Sequence, residues 1–434
     1  MAPSATQAQA RKTRARKQPE AAKEVRRDAY AVWEVTLQCN LACKHCGSRA
    51  GGARKDELNT EEALDLIRQM ADVGINEVTL IGGEAFLRAD WLTLVSAIRD
   101  AGMTPTMATG GFGISRVTAE KMVEAGLAQV SVSVDGLEEV HDRQRGKQGS
   151  WHQCFESMRN FAAVGLPFAI NSQINRYSAP EFPRLYETLR DAGMRGWQYT
   201  LTVPMGNATE FPEAIIQPFE LLDVYPMLAR VTNRALAEGM VVMPGNDIGF
   251  FGPYESLLRH SHHQIGTAWQ GCCAGTAGLG IEANGNIKGC QSLPSSAYVG
   301  GNIRDSSLVE IMKRPELTLN MHGGTPKGIA HLWGHCQSCE WAELCRGGCM
   351  WTAHVFFDRP GNNPHCHSRA LKLAKQGLRE RVVMKRRAEG RSFDHGVFEL
   401  IEEPLDAPWP KDDPLHFTAD KVSWPEGWER WPWP

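Results

Sequence analysis

Three cysteines, Cys39, Cys43 and Cys46, fall within eight positions, directly after the apolar run of residues 30–37. A structural zinc site is closed by four ligands. Three thiolates on one loop suit instead an iron–sulfur cube with one iron open to a further ligand. A second group lies far downstream: Cys336, Cys339, Cys345, Cys349 and Cys366, preceded by Cys272, Cys273 and Cys290. Zinc is the plainer alternative for both groups. Cys154 sits inside an amphipathic stretch and reads as a small core residue. The chain has twelve cysteines in 434 residues, with no secretory signal and no long apolar run. Metal rather than disulfides is therefore expected, in a reducing cytoplasm. A net charge of −3 asks for neither nucleic acid nor membrane as partner.

The elements that must position these groups alternate. Apolar, β-branched runs at 31–37, 77–81, 104–108, 129–134, 167–174 and 197–203 are separated by amphipathic segments at 61–73, 91–101, 118–125, 151–164 and 181–192. Glycines close several of those segments, the rhythm of a parallel sheet. Six units are too few for a closed eight-fold barrel, so an α/β fold with a partial (β/α)6 barrel is expected, its ligands at the C-terminal strand ends. Residues 221–238 read as one long helix, and residues 368–389 as another. The expected organisation is a disordered basic tail (1–29), the barrel (30–210), a helical connection (211–265), a cysteine-rich domain (266–370), and a C-terminal helix with a Trp- and Pro-rich tail (371–434). Asn284-Gly285 predicts a hairpin turn within the cysteine-rich domain. The tail, with Trp409, Trp424, Trp428, Trp431 and Trp433, is expected to insert its indoles into surface grooves; a lid over the active site is the sharper alternative.

The spacing Cys39-x3-Cys43-x2-Cys46 after a first strand, with His45 before the last cysteine, resembles the radical S-adenosylmethionine superfamily. Gly82-Gly83-Glu84 at the end of the second strand and Thr109-Gly110-Gly111 at the end of the third strengthen the resemblance. It implies that the open iron binds the amino and carboxylate groups of S-adenosylmethionine, and that reduction releases a 5′-deoxyadenosyl radical. By the same resemblance Gly82, Gly83 and Glu84 hold the methionine amino group, and Thr109 contacts the cofactor. Ser133 and Asp135 stand near ribose or substrate, and Asn171 near ribose or carboxylate. The bland alternative makes Ser131 and Ser133 small polar residues against a helix. Residues 141–146 read as a solvated loop, although Arg143 and Arg145 offer cations to a carboxylate.

The downstream cysteines resemble the SPASM extension, which carries two auxiliary [4Fe–4S] clusters. The resemblance implies Cys336, Cys339, Cys345 and Cys366 for one cluster, and Cys272, Cys290 and Cys349 for the other. Three [4Fe–4S] clusters with one open iron use eleven thiolates. Setting aside Cys154 and Cys273 leaves ten, so one auxiliary cluster takes Cys273, takes another residue, or stays open. His331, His335, His354, His365 and His367 each read alone as surface or hydrogen-bonding groups.

Relatives with this extension mostly oxidise or cross-link peptides. The expected activity is oxidative modification of a peptide or small protein, as in ribosomal-peptide maturation. A low-potential donor such as flavodoxin or ferredoxin is implied. So is a separate recognition protein, since only about thirty residues precede the first strand. Gln291 follows Cys290 where sulfatase-maturing relatives carry a catalytic Asp, which argues against that activity. The alternatives are a tetrapyrrole or other small-molecule enzyme of the same superfamily, and a non-enzymatic zinc or electron-carrier protein.

Overall fold

The computed structural model describes residues 29–259, 269, 271–314, 317, 328–410 and 413–428. The basic arm of residues 1–28 lies outside the described residues, as do Trp431 and Trp433.

Six strands are in the expected places: β1 (Tyr30–Glu34), β2 (Glu77–Ile81), β3 (Thr104–Thr109), β4 (Gln129–Ser133), β5 (Phe168–Ile174) and β6 (Gly196–Leu201). The intervening helices are α1 (Thr60–Asp72), α2 (Trp91–Asp100), α3 (Arg116–Ala125), α4 (Glu138–Arg145), α5 (Ser150–Ala163) and α6 (Phe182–Asp191), followed by the long α7 (Leu221–Ala237). The first helix shows how the sequence starts and buries such an element. In α1, Asn59 accepts from Glu62 N–H and Glu62 accepts from Asn59 N–H, a reciprocal cap. Ala63, Leu66, Ile67 and Met70 then form the face that packs on the sheet.

The sheet is larger than six strands. A short β7 (Val241–Pro244) pairs parallel with β6 after α7, inside the expected helical connection. At the other edge, β8 (Gly278–Ile281) pairs parallel with β1, from Tyr30 opposite Gly278 to Trp33 opposite Ile281. β9 (Asn286–Lys288) and β10 (Val299–Asn302) continue antiparallel, with Asn284-Gly285 turning between β8 and β9. The order is β10-β9-β8-β1-β2-β3-β4-β5-β6-β7, an open partial barrel whose sheet the cysteine-rich region extends.

Two expectations are corrected. The helix expected over residues 368–389 runs only over His367–Lys375. Gly377, at φ +73, stops it, and β11 (Leu378–Arg386) turns back against β12 (Val397–Pro404). Its Arg- and Glu-rich composition reads as helical. As a strand, the same charges form cross-strand pairs: Arg379 and Arg381 with Glu403 at 2.8 and 3.0 Å, and Lys385 with Glu399 at 2.5 Å. Second, residues 141–146 are no solvated loop. They end α4, with His141, Asp142, Gln144 and Arg145 buried. The described part of the tail inserts indoles as expected. Trp409 packs on Phe219, while buried Trp428 donates to Glu187 at 2.7 Å and meets the Tyr186 ring. No helix among the described residues is long and apolar enough to cross a membrane.

Candidate functional site

A cavity of about 410 Å³ opens at the C-terminal ends of β1–β5. Cys39, Cys43 and Cys46 face it from the loop after β1. That loop is gripped on two sides. Ala42 and Lys44 N–H donate to the carbonyls of Arg145 and Gln144 at the end of α4. From the loop after β6, Asn207 gives its N–H to Cys46 O and its amide to Cys43 O. The thiols interact with one another, and burial pushes Cys39 up to about 11 and Cys43 up to about 12. Free thiols here would stay protonated, whereas a metal ion reverses that preference. Leu41 N–H points at Cys39 Sγ and Ala50 N–H at Cys46 Sγ, each at 3.4 Å, donors suited to bound thiolates. Three converging thiols with such donors, beside an open cavity, fit an iron–sulfur cluster that keeps one iron for a second ligand.

Gly82, Gly83 and Glu84 line the same cavity. The glycines serve backbone packing: a Cβ on Gly83 would lie 2.2 Å from Gln38 O, and one on Gly82 2.3 Å from Thr36 O. Their chain crosses the end of β1, with Gly83 and Glu84 N–H bonded to Thr36 and Gln38 carbonyls. Glu84 accepts from Thr109 Oγ1 and from Gly110 N–H, yet burial still pushes it up to about 7. A buried carboxyl lining a cavity in this way suits an ammonium partner, which would draw out its charge. Thr109 and Ser133 also line the cavity.

Asp135 does not line it. Buried behind the loop, Asp135 meets Arg145 Nη2 at 2.6 Å and His45 Nε2 at 3.2 Å, and accepts from Gln173 N–H. Burial raises its pKa, but Arg145 and His45 outweigh that and hold it well below the usual carboxylate range. Asn171 is Ser133's partner in register and is also outside the cavity lining. Its neighbour Ser172 is spent internally, on Val134 O and Trp197 Nε1. Gln173, which the sequence did not single out, lines the cavity, and Arg145, offered from sequence as a cation for a carboxylate, meets Asp135 and places its guanidinium 3.7 Å from Cys43 Sγ. The run of charged residues at 141–146 carried the only signal for Arg145.

Downstream, Cys336, Cys339, Cys345 and Cys366 interact as one group, and Cys272, Cys290 and Cys349 as another. Cys349 and Cys366 each occupy the N-cap position of a helix (Met350–Phe357 and His367–Lys375), where the helix dipole favours a thiolate, although burial pushes both thiols up to about 12. Cys273 is not turned away: it bonds the Tyr30 hydroxyl and interacts with Cys290 and Cys272. Cys154 is fully buried in α5, its thiol on Trp151 O, as a core residue would be. Cys290 reaches the cavity itself, with Gln291, Met205, Trp351 and Phe393. The buried Gln291 amide has no hydrogen-bond partner on either atom.

Residues 33–176 match the family model of the Radical SAM superfamily. The chain is 29% identical over 340 residues to an AdoMet-dependent heme synthase of Oleidesulfovibrio alaskensis, covering 73% of this chain and 81% of that protein. It is 27% identical over 340 residues to the mycofactocin maturase MftC of Mycobacterium ulcerans, covering 77% and 86%. The crystal structure of Streptococcus suis SuiB bound to S-adenosylmethionine superposes with a TM-score of 0.59 over 78% of this chain and 75% of SuiB, at 17% identity, a likeness of fold.

Proposed function

We propose that this chain, an enzyme of the radical S-adenosylmethionine superfamily with a SPASM-type cysteine-rich region, oxidatively modifies a side chain of a peptide or small protein. The observation that carries this reading is the cavity, which is lined both by Cys39, Cys43 and Cys46 and by Cys290. Its volume is at the low end of the roughly 300–1,000 Å³ of small-molecule sites, and it must also admit S-adenosylmethionine. A larger substrate would therefore reach in by a side chain. Met205, Trp351 and Phe393 make the wall beside Gly47 apolar, and Arg145, the one Lys or Arg in the described lining, is already held by Asp135. Such a wall receives an uncharged or aromatic group better than a macrocycle bearing several carboxylates.

Cys39, Cys43 and Cys46 would hold a cluster that, with S-adenosylmethionine, would supply hydrogen-atom abstraction, and the group containing Cys290 would hold a cluster able to accept the second electron of a two-electron oxidation. The chain's own residues do the rest. Glu84 and the Gly82-Gly83 backbone hold the methionine end, while Thr109 and Ser133 bound the adenosine side. Gln291 offers a donor and an acceptor to the substrate amide. Trp351 and Phe393 keep water from the radical. Glu34, lining the cavity and pushed up to about 7 by burial, takes the departing proton. Cys272, Cys273, Cys290 and Cys349 form one auxiliary set, and Cys336, Cys339, Cys345 and Cys366 the other, for three [4Fe–4S] clusters in all. A flavodoxin- or ferredoxin-type donor, a cytoplasmic location and a separate peptide-recognition protein complete the proposal.

The heme synthase likeness favours a second reading, a tetrapyrrole side chain as substrate. Anaerobic turnover with candidate precursor peptides and with iron–coproporphyrin separates the two. The peptide reading expects a loss of two hydrogens in the peptide, matched by 5′-deoxyadenosine, with neither formed when Cys39, Cys43 and Cys46 are all Ala. Porphyrin conversion with inert peptides would overturn it.

A further inference from the structure

We infer that His354, Asp358 and His395 form a mononuclear divalent-metal site of the zinc class, separate from the cysteine groups. One coordinating atom from each residue falls within 4.8 Å of the others. His354 and Asp358 lie one turn apart at the end of helix Met350–Phe357, and His395 comes from the segment before β12.

The tautomers point the same way. His395 Nδ1 lies 2.8 Å from Gly396 O, and a carbonyl only accepts, so the proton sits on Nδ1. In the neutral ring, Nε2 then presents a lone pair to Asp358 Oδ1 at 3.6 Å. His354 binds the Tyr298 hydroxyl through Nδ1 at 2.8 Å, while its Nε2 is buried without a hydrogen-bond partner, 3.7 Å from the same Oδ1. His354 as a whole is 5% exposed. Separations of 3.6–3.7 Å are too long for hydrogen bonds. They are close to the ~3.4 Å between two ligands that each stand ~2.0–2.2 Å from one tetrahedral zinc ion. The outer partners are those that histidine ligands use, a carbonyl and a hydroxyl on the far ring nitrogen. Asp358 is half exposed, which leaves a side for a water ligand, and Arg386 approaches only its other oxygen, at 3.5 Å.

The site would staple the cavity wall. His395 bridges in the sheet sense to Met205; Phe393, two residues earlier, lines the cavity; and Asp394 between them binds Arg49 beside the cysteine loop. A metal here ties that segment to the helix that Cys349 begins.

The test is metal analysis of the full-length protein with its clusters, purified from zinc-containing medium, joined to zinc-edge X-ray absorption. About one zinc per chain is expected, with only nitrogen and oxygen neighbours at ~2.0–2.1 Å. Asp358→Asn tolerates the left-handed backbone at that position (φ +57), so it should fold, keep its iron, and bind zinc at least tenfold more weakly, as should His395→Ala. Sulfur neighbours at ~2.3 Å would place the zinc in the thiol groups and overturn the inference. So would unchanged zinc in both variants, or a wild type that takes up none, in which case the three residues share protons only.

Discussion

Cys273 and Glu34 hold the least conventional positions among the residues of the site. Cys273 adjoins Cys272 in sequence, yet its thiol stays within reach of Cys290 and Tyr30. If it completes the auxiliary set, Cys273→Ala removes close to four irons per chain and the matching paramagnetic signal, as expected for loss of one [4Fe–4S] cluster. Unchanged iron would leave that set with three thiolates. Glu34 faces Arg54, Lys288, Glu282 and the Ala283 N–H; burial is the largest influence and lifts it from its ordinary value near 4.5 to about 7. The folded state therefore binds this proton more tightly than the unfolded chain. Its contribution to stability is complete below pH ~4.5 and is lost as pH rises through 7. Glu34→Gln should lack that loss, so its melting temperature relative to wild type should improve from pH 5 to pH 8. Parallel melting curves across that range would show that Glu34 does not carry the shift.

At the scale of elements, the meeting of the chain after β1 with the chain after β2 is a close joint in the site. Gly83→Ala would drive a Cβ to 2.2 Å from Gln38 O and 2.7 Å from Leu37 O, both backbone atoms that cannot swing away. The expected result is a loss of about 2 kcal/mol or more in chemical unfolding, with lower iron occupancy at Cys39, Cys43 and Cys46. Wild-type stability in this variant would mean the strand ends are looser than described. The same elements show what a sequence discloses. The six βα units were readable because each carries both a period and a stop. β7 is four residues long, too short to show a period. β11 was hidden by helix-forming Arg, Lys and Glu residues whose partners on β12 are invisible until the hairpin forms. Arg145 was legible as a cation for a carboxylate, but charge in a short polar run usually means solvent, and only the fold shows that the carboxylate is Asp135. Phe393 and Met205 reach the cavity from segments without periodicity, so nothing local announced them.

Over the whole molecule, the described tail runs along the outer wall, and no described residue from 405 to 428 lines the cavity. Trp428 sits fully buried beside α6 and α7, its carbonyl bonded by Arg230. Trp428→Ala should cost about 3–5 kcal/mol while leaving 5′-deoxyadenosine and product per cluster-loaded protein unchanged. Lost product with intact stability would instead assign the tail to the active site. The pairing of β8 with β1 bears on how the protein is made. While the ribosome works from residue 35 to residue 277, β1 shows one edge of unpaired amide and carbonyl groups, with three thiols hanging from its end. At ~5–20 residues per second, that edge stays open for on the order of ten to fifty seconds. A nascent chain stalled before Gly278 keeps that edge open beside three thiols, which exposes it to aggregation and to capture of stray metal.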